Sequence, residues 1–81
     1  MFTIELDVSH EVNHELVVEW AHGHDCRVLS RLEEGPGGGN PVYTFASDTY
    51  NPLKDLAEDL YGGELDNTFL MNKIIPYVGG R

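Results

Sequence analysis

Phe2, Ile4, Leu6 and Val8 alternate with Thr3, Glu5 and Asp7, which is the period of a strand with one face buried and the other in water. From residue 10 the period becomes helical. Ser9 suits an N-cap, and over residues 10–22 Val12, Leu16, Val17, Trp20 and Ala21 share one broad face. Glu11, Glu15 and Glu19 form a ridge broadly opposite, and Gly23 is placed to stop the helix. A second strand is predicted from Cys26 to Glu34, with Cys26, Val28, Ser30 and Leu32 on one side. Arg27, Arg31 and Glu33, with Leu29 among them, take the other. Residues 35–41, GPGGGNP, break regular structure before Val42-Tyr43-Thr44-Phe45-Ala46 resumes as a strand, so this run reads as a long hairpin loop.

A second helix follows, with Asn51 as its cap, Pro52 at its first position and Gly62 just past its end. Leu53, Leu56, Ala57 and Leu60 give it one narrow apolar stripe, and Asp55, Glu58 and Asp59 lie on its exposed side. In the tail, Asp66 could cap a short helix using Phe69, Leu70, Lys73 and Ile74. The same residues fit a fourth strand ending near Pro76, and periodicity does not choose between the two. The order is βαββα, or βαββαβ with a closing strand, which is the ferredoxin-like order. The expected fold is α+β: a small antiparallel sheet covered on one face by two helices. One domain over residues 1–78 and a loose tail at residues 79–81 account for the 81 residues.

Charge narrows the function. Fourteen acidic residues against five basic ones leave a formal charge of −9, which disfavours direct binding to nucleic acid or anionic lipid and favours a basic protein partner. A lone cysteine, Cys26, forms no internal disulfide, and the chain opens with neither a basic start nor a long apolar run. No apolar segment approaches membrane-spanning length. A cytoplasmic protein, in a bacterium or a host cell, is expected.

Candidate chemistry gathers between residues 10 and 26, which hold all four histidines and Cys26. His10-Glu11-Val12-Asn13-His14 matches the HExxH of zinc peptidases, in which two histidines one helical turn apart bind zinc and the glutamate activates water. The neighbouring Asn13 and Glu15 are polar, and Val17 and Trp20 stand where a metzincin extension needs glycine and histidine. A non-catalytic metal site from His10, His14, His22, His24 and Cys26 is the stronger metal alternative, although its spacing lacks the paired pattern of structural zinc. The glycine run has neither a following Lys-Ser/Thr nor any basic residue to hold phosphate. Tyr43 and Phe45 share a strand face without the basic neighbours that base stacking requires, so they belong to the core or to a protein interface. No cofactor and no enzymatic activity are expected.

The remaining lead is the distribution of carboxylates. Glu11, Glu15 and Glu19 repeat at intervals of four, as do Asp55 and Asp59, with Glu58 beside them. Like charges at that spacing repel along an exposed helix, so stability alone would favour mixed signs. Two acidic ridges on one small body could imitate a phosphate backbone and occupy the basic groove of a nucleic-acid-binding complex. The short, Met-initiated, single-cysteine, acidic α+β layout resembles the small proteins of bacteriophages and mobile elements, anti-CRISPR proteins and other nucleic-acid mimics among them. The resemblance spans the chain and rests on size, charge and element order. It implies an inhibitor that acts by occupation rather than catalysis. A structural or accessory homodimer, joined through strand edges or the tail, is the competing expectation.

Overall fold

The computed structural model describes residues 1–33 and 39–76. Its elements run β1 (Phe2–Asp7), α1 (His14–Gly23), β2 (Arg27–Leu32), β3 (Val42–Ser47), α2 (Tyr50–Tyr61), α3 (Asn67–Lys73) and β4 (Ile75–Pro76). The four strands form one antiparallel sheet in the order β2-β3-β1-β4. The fold is therefore α+β with the ferredoxin-like strand order, closed by β4 and enlarged by α3. The tail adopts both of its expected forms in succession. Asp66 caps α3 by accepting from the Thr68 amide at 2.7 Å, and Ile75 and Pro76 then pair with Thr3 and Phe2. Most of the glycine run and the end of the tail fall within residues 34–38 and 77–81, outside the described residues.

Period-two alternation decides which sheet face is dry. Ile4 pairs with Phe45 and Leu6 with Tyr43, and all four are buried against the helices. Glu5 and Asp7 emerge on the other face. Val17 and Ala21 of α1, Leu53, Leu56 and Ala57 of α2, and Leu70 of α3 complete the core with Val8, Cys26 and Ile74. Burying each large aliphatic side chain stabilises the fold by about 1.5–3 kcal/mol before entropy is counted. Tyr43 and Phe45 are core residues, 1% and 0% exposed, under the helical layer. They stack on each other at 5.7 Å, Trp20 meets Phe45 edge-on at 5.7 Å, and His14 stacks on Tyr43 at 5.8 Å. This aromatic row fastens α1 to β3.

Three boundaries differ from the sequence expectation. The first helix begins at His14 rather than residue 10, and its cap is Asn13, whose side chain accepts from the Glu15 amide at 2.8 Å. Ser9 instead closes a turn, accepting from the Glu11 amide at 3.2 Å. The second helix begins two residues before Pro52. None of the first four helical residues needs its N–H within the helix, so proline fits at the third position as well as the first. Its end is as expected: Gly62, at φ 82°, takes the left-handed conformation and donates to the Glu58 carbonyl at 2.8 Å.

The third difference lies in β2. Val28 pairs with Phe45 and Ser30 with Thr44, with a bulge between them at Leu29. One extra residue inverts the alternation beyond it. Ser30 and Leu32 therefore turn to the face opposite the helices, and Arg31 crosses to the helical side. Its guanidinium lies 5.6 Å from the centre of the Tyr43 ring and pairs with Glu33.

Candidate interaction surface

The outer side of the helical layer carries most of the residues singled out by charge. Glu15 and Glu19 are exposed on α1, one turn apart, and Asp55 is exposed on α2. Glu11 is exposed too, but it lies in the turn before α1, so the four-residue ridge holds two glutamates rather than three. Glu15 has a local role, since a carboxylate in the first helical turn offsets the partial positive charge of that end. Glu19 is mid-helix and has no such role. Among the described residues, no lysine or arginine lies within ion-pair distance of Glu11, Glu15, Glu19 or Asp55.

Glu58 and Asp59 are instead committed within the fold. The Glu58 carboxylate accepts from the Leu65 amide at 3.2 Å and pairs with Lys54 at 3.2 Å, tying the end of α2 to the segment that leads into α3. Those contacts, the amide first, hold its carboxyl below the usual range. Asp59 accepts the indole N–H of Trp20 at 2.6 Å and a bond from His24 Nε2 at 3.1 Å, bridging the two long helices. The indole bond, then the histidine, depresses its carboxyl as well. The expected six-carboxylate set thus divides into four outward-facing groups and two that hold the helices in place.

The histidines are dispersed. His10 precedes the helix, with Nδ1 3.0 Å from the Asn40 Oδ1. His14 opens the helix, with Nδ1 3.0 Å from the Tyr43 hydroxyl. The HExxH letters therefore straddle a helix start and do not occupy one helical turn. His22 is exposed in the last turn, and His24 faces Asp59 and the edge of Trp20. Cys26 is buried and donates its S–H to the His24 carbonyl. Burial, aided by Asp25 and then Asp55, pushes its thiol up to about 11, the reverse of what a reactive thiolate needs. Among the described residues, no three His, Cys, Asp or Glu side chains are grouped to hold a metal ion. None of the described helices is long and apolar enough to cross a membrane.

Hydrophobic patterning missed one feature. The apolar residues predicted for the first helix are not uniformly buried: Val17 and Ala21 enter the core, whereas Leu16 is 57% exposed and Val12, in the turn before α1, is 39% exposed. Together with Val8, Val17, Trp20 and Leu60 they line an open groove of about 180 Å³. The signal in the sequence is the width of the apolar face, whose edge residue Leu16 stands farthest from Val17 and Ala21 toward the glutamates. On the helical wheel Glu19 and Glu15 follow Leu16 on its solvent side. No protein-family model, curated protein or solved structure matches this chain.

Proposed function

We propose that this chain is a small acidic protein-interaction module, without enzymatic activity, whose helical face occupies a basic, nucleic-acid-binding surface of a partner protein in the cytoplasm. An inhibitor of the phage or anti-CRISPR kind is the setting in which such a module works by occupation alone. One observation carries the reading. Arg27, Arg31 and Lys54 are each paired with a carboxylate of this chain, while Glu11, Glu15, Glu19 and Asp55 keep their charge toward solvent, with no lysine or arginine in ion-pair range among the described residues. Carboxylates fixed on helices that are pinned by the Trp20–Asp59 bond present a preorganised field, which steers and orients a cationic partner.

The test compares two double variants of equal charge change. Glu15→Lys with Glu19→Lys alters the helical face. Glu5→Lys with Asp7→Lys alters the opposite sheet face, where both side chains are exposed. Proteins captured by the immobilised chain at low salt and released by competing polyphosphate should be lost with the first variant and kept with the second. Equal loss from both variants would reduce the interaction to net charge and sink the assignment to the helical face.

The homodimer reading has one feature in its favour: β2 is an edge strand, and its Leu29 and Leu32 are exposed. The bulge at Leu29 weighs against it, because an irregular edge is a poor template for a second strand.

A further inference from the structure

The apolar groove and the carboxylates beside it belong to one surface. We propose that the groove between α1 and the end of α2 takes a single large apolar side chain from a cationic segment of a protein partner, with Glu15 and Glu19 meeting that segment's lysines or arginines. This inference rests on the acidic-module reading and adds the anchor and its chemistry.

Size sets the occupant. A volume of about 180 Å³ is smaller than the roughly 300–1,000 Å³ of small-molecule sites. It is close to the ~150 Å³ of an apolar cavity that admits one benzene ring. The lining is wholly aliphatic or aromatic side chains, so it offers nothing to orient a polar ligand. One leucine, methionine or phenylalanine side chain fills it.

The walls are held. Trp20 is fixed at both ends, by its N–H to Asp59 at 2.6 Å and by its edge-on contact with Phe45. Leu60 belongs to the apolar stripe of α2, and Val17 is in the core. A tryptophan immobilised beside an open apolar slot is the kind of site on which binding energy concentrates, because its ordering cost has already been met in folding. Complementarity then selects the sign of the partner. Leu16 and Trp20 stand one turn apart on α1, Val12 lies in the turn just before it, and Glu15 and Glu19 run beside Leu16 with no lysine or arginine in ion-pair range among the described residues. An amphipathic partner segment with one apolar anchor and flanking cations satisfies groove and carboxylates at once, whereas an acidic or neutral segment leaves the carboxylates opposed or unmet.

Trp20 is the only tryptophan and lines the groove, so its emission reports occupancy directly. The probes are two synthetic lysine-rich helical peptides, identical except for a central phenylalanine in one and alanine in the other. The phenylalanine peptide should bind roughly tenfold to a hundredfold more tightly, the equilibrium equivalent of burying one large apolar side chain, and should shift Trp20 emission. Leu16→Glu separates groove from charge, because it adds a negative charge at an exposed position while making the groove polar. It should abolish the phenylalanine preference and leave the alanine peptide bound as well as before or better. Equal affinity of the two peptides for the unaltered chain, with both weakened by Glu15→Lys and Glu19→Lys, overturns the groove while the acidic-module reading stands. Charge reversal should weaken both peptides and keep the ratio between them, and a phenylalanine-peptide affinity unchanged by Glu15→Lys with Glu19→Lys overturns the cationic partner. Binding of neither peptide at low salt removes both readings together.

Discussion

Replacing Glu19 by lysine should stabilise the free protein and, if the proposed function holds, weaken its complex with a cationic partner. Glu15 and Glu19 are exposed at i and i+4 of α1, where like charges destabilise by about 0.2–0.5 kcal/mol and a Glu-to-Lys pair in this orientation stabilises by a similar amount. Glu19→Lys converts the first case into the second, a swing of about 0.4–1 kcal/mol. Lysine and glutamate have nearly equal helix propensity, and residue 19 is far enough from both helix ends for the macrodipole to contribute little. For a domain of this size each kcal/mol moves the midpoint by about 4–8 °C, so the variant should melt about 2–8 °C higher. Circular dichroism melts at low ionic strength and in about 1 M salt test the cause, since a screening length of ~3 Å should erase most of the gain. An unchanged or lower Tm at low salt, or a gain that survives at high salt, would refute the electrostatic reasoning. If the same variant also loses a cationic partner, Glu19 is a residue whose presence lowers stability and serves binding.

Asn13→Ala should cost about 0.5–2 kcal/mol in denaturant unfolding by removing the true helix cap, and Ser9→Ala should stay within about 0.5 kcal/mol; the reverse ranking would place the helix start at residue 10. Cys26, with its thiol pushed up to about 11 against an ordinary 9.0, should react with an alkylating reagent at pH 8 about a hundredfold more slowly in the folded chain than in the unfolded one, and equal rates would contradict its burial. Since its folded value is the raised one, its contribution to stability is complete below pH 9 and lost as pH rises from there toward about 11. The carboxyls of Glu58 and Asp59 are depressed below ordinary values of 4.5 and 3.8, so their contribution is present above those values and is lost as pH falls below them. Trp20 emission should change as pH falls below the ordinary 3.8 of an aspartate and Asp59 protonates, and a step of the same size in Asp59→Asn would disconnect it from that residue.

Local chemistry made much of the architecture legible. Alternation over residues 2–8 and 42–46, the Gly62 stop and the Asp66 cap act within a few residues of themselves, and they appear in the structure as the sequence predicts. The helix start is not legible because Ser9 and Asn13 are both good caps, and the three residues between them can be a turn or part of a helix at similar local cost. The missed bulge has a similar origin: Leu29 is as apolar as its neighbours, so composition does not mark the residue at which pairing with β3 skips.

The candidate surface depended far more on tertiary structure. Sequence spacing alone brought out the six carboxylates as one set, yet two of them are taken by partners distant along the chain: Asp59 by Trp20 and His24, 39 and 35 positions away, and Glu58 by the Leu65 amide beyond the end of its helix. Leu16 and Val12 share the periodicity of Val17 and Ala21, but only the way α1 lies on β3 and beside α2 decides which of them meets the core and which borders the groove. Net charge, apolar period and caps are properties of residues and near neighbours, so the sequence by itself determined the α+β class and the acidic character. Which carboxylates remain facing water, and which apolar side chains do, was decided only when the helices were laid on the sheet, because both depend on partners supplied by other elements.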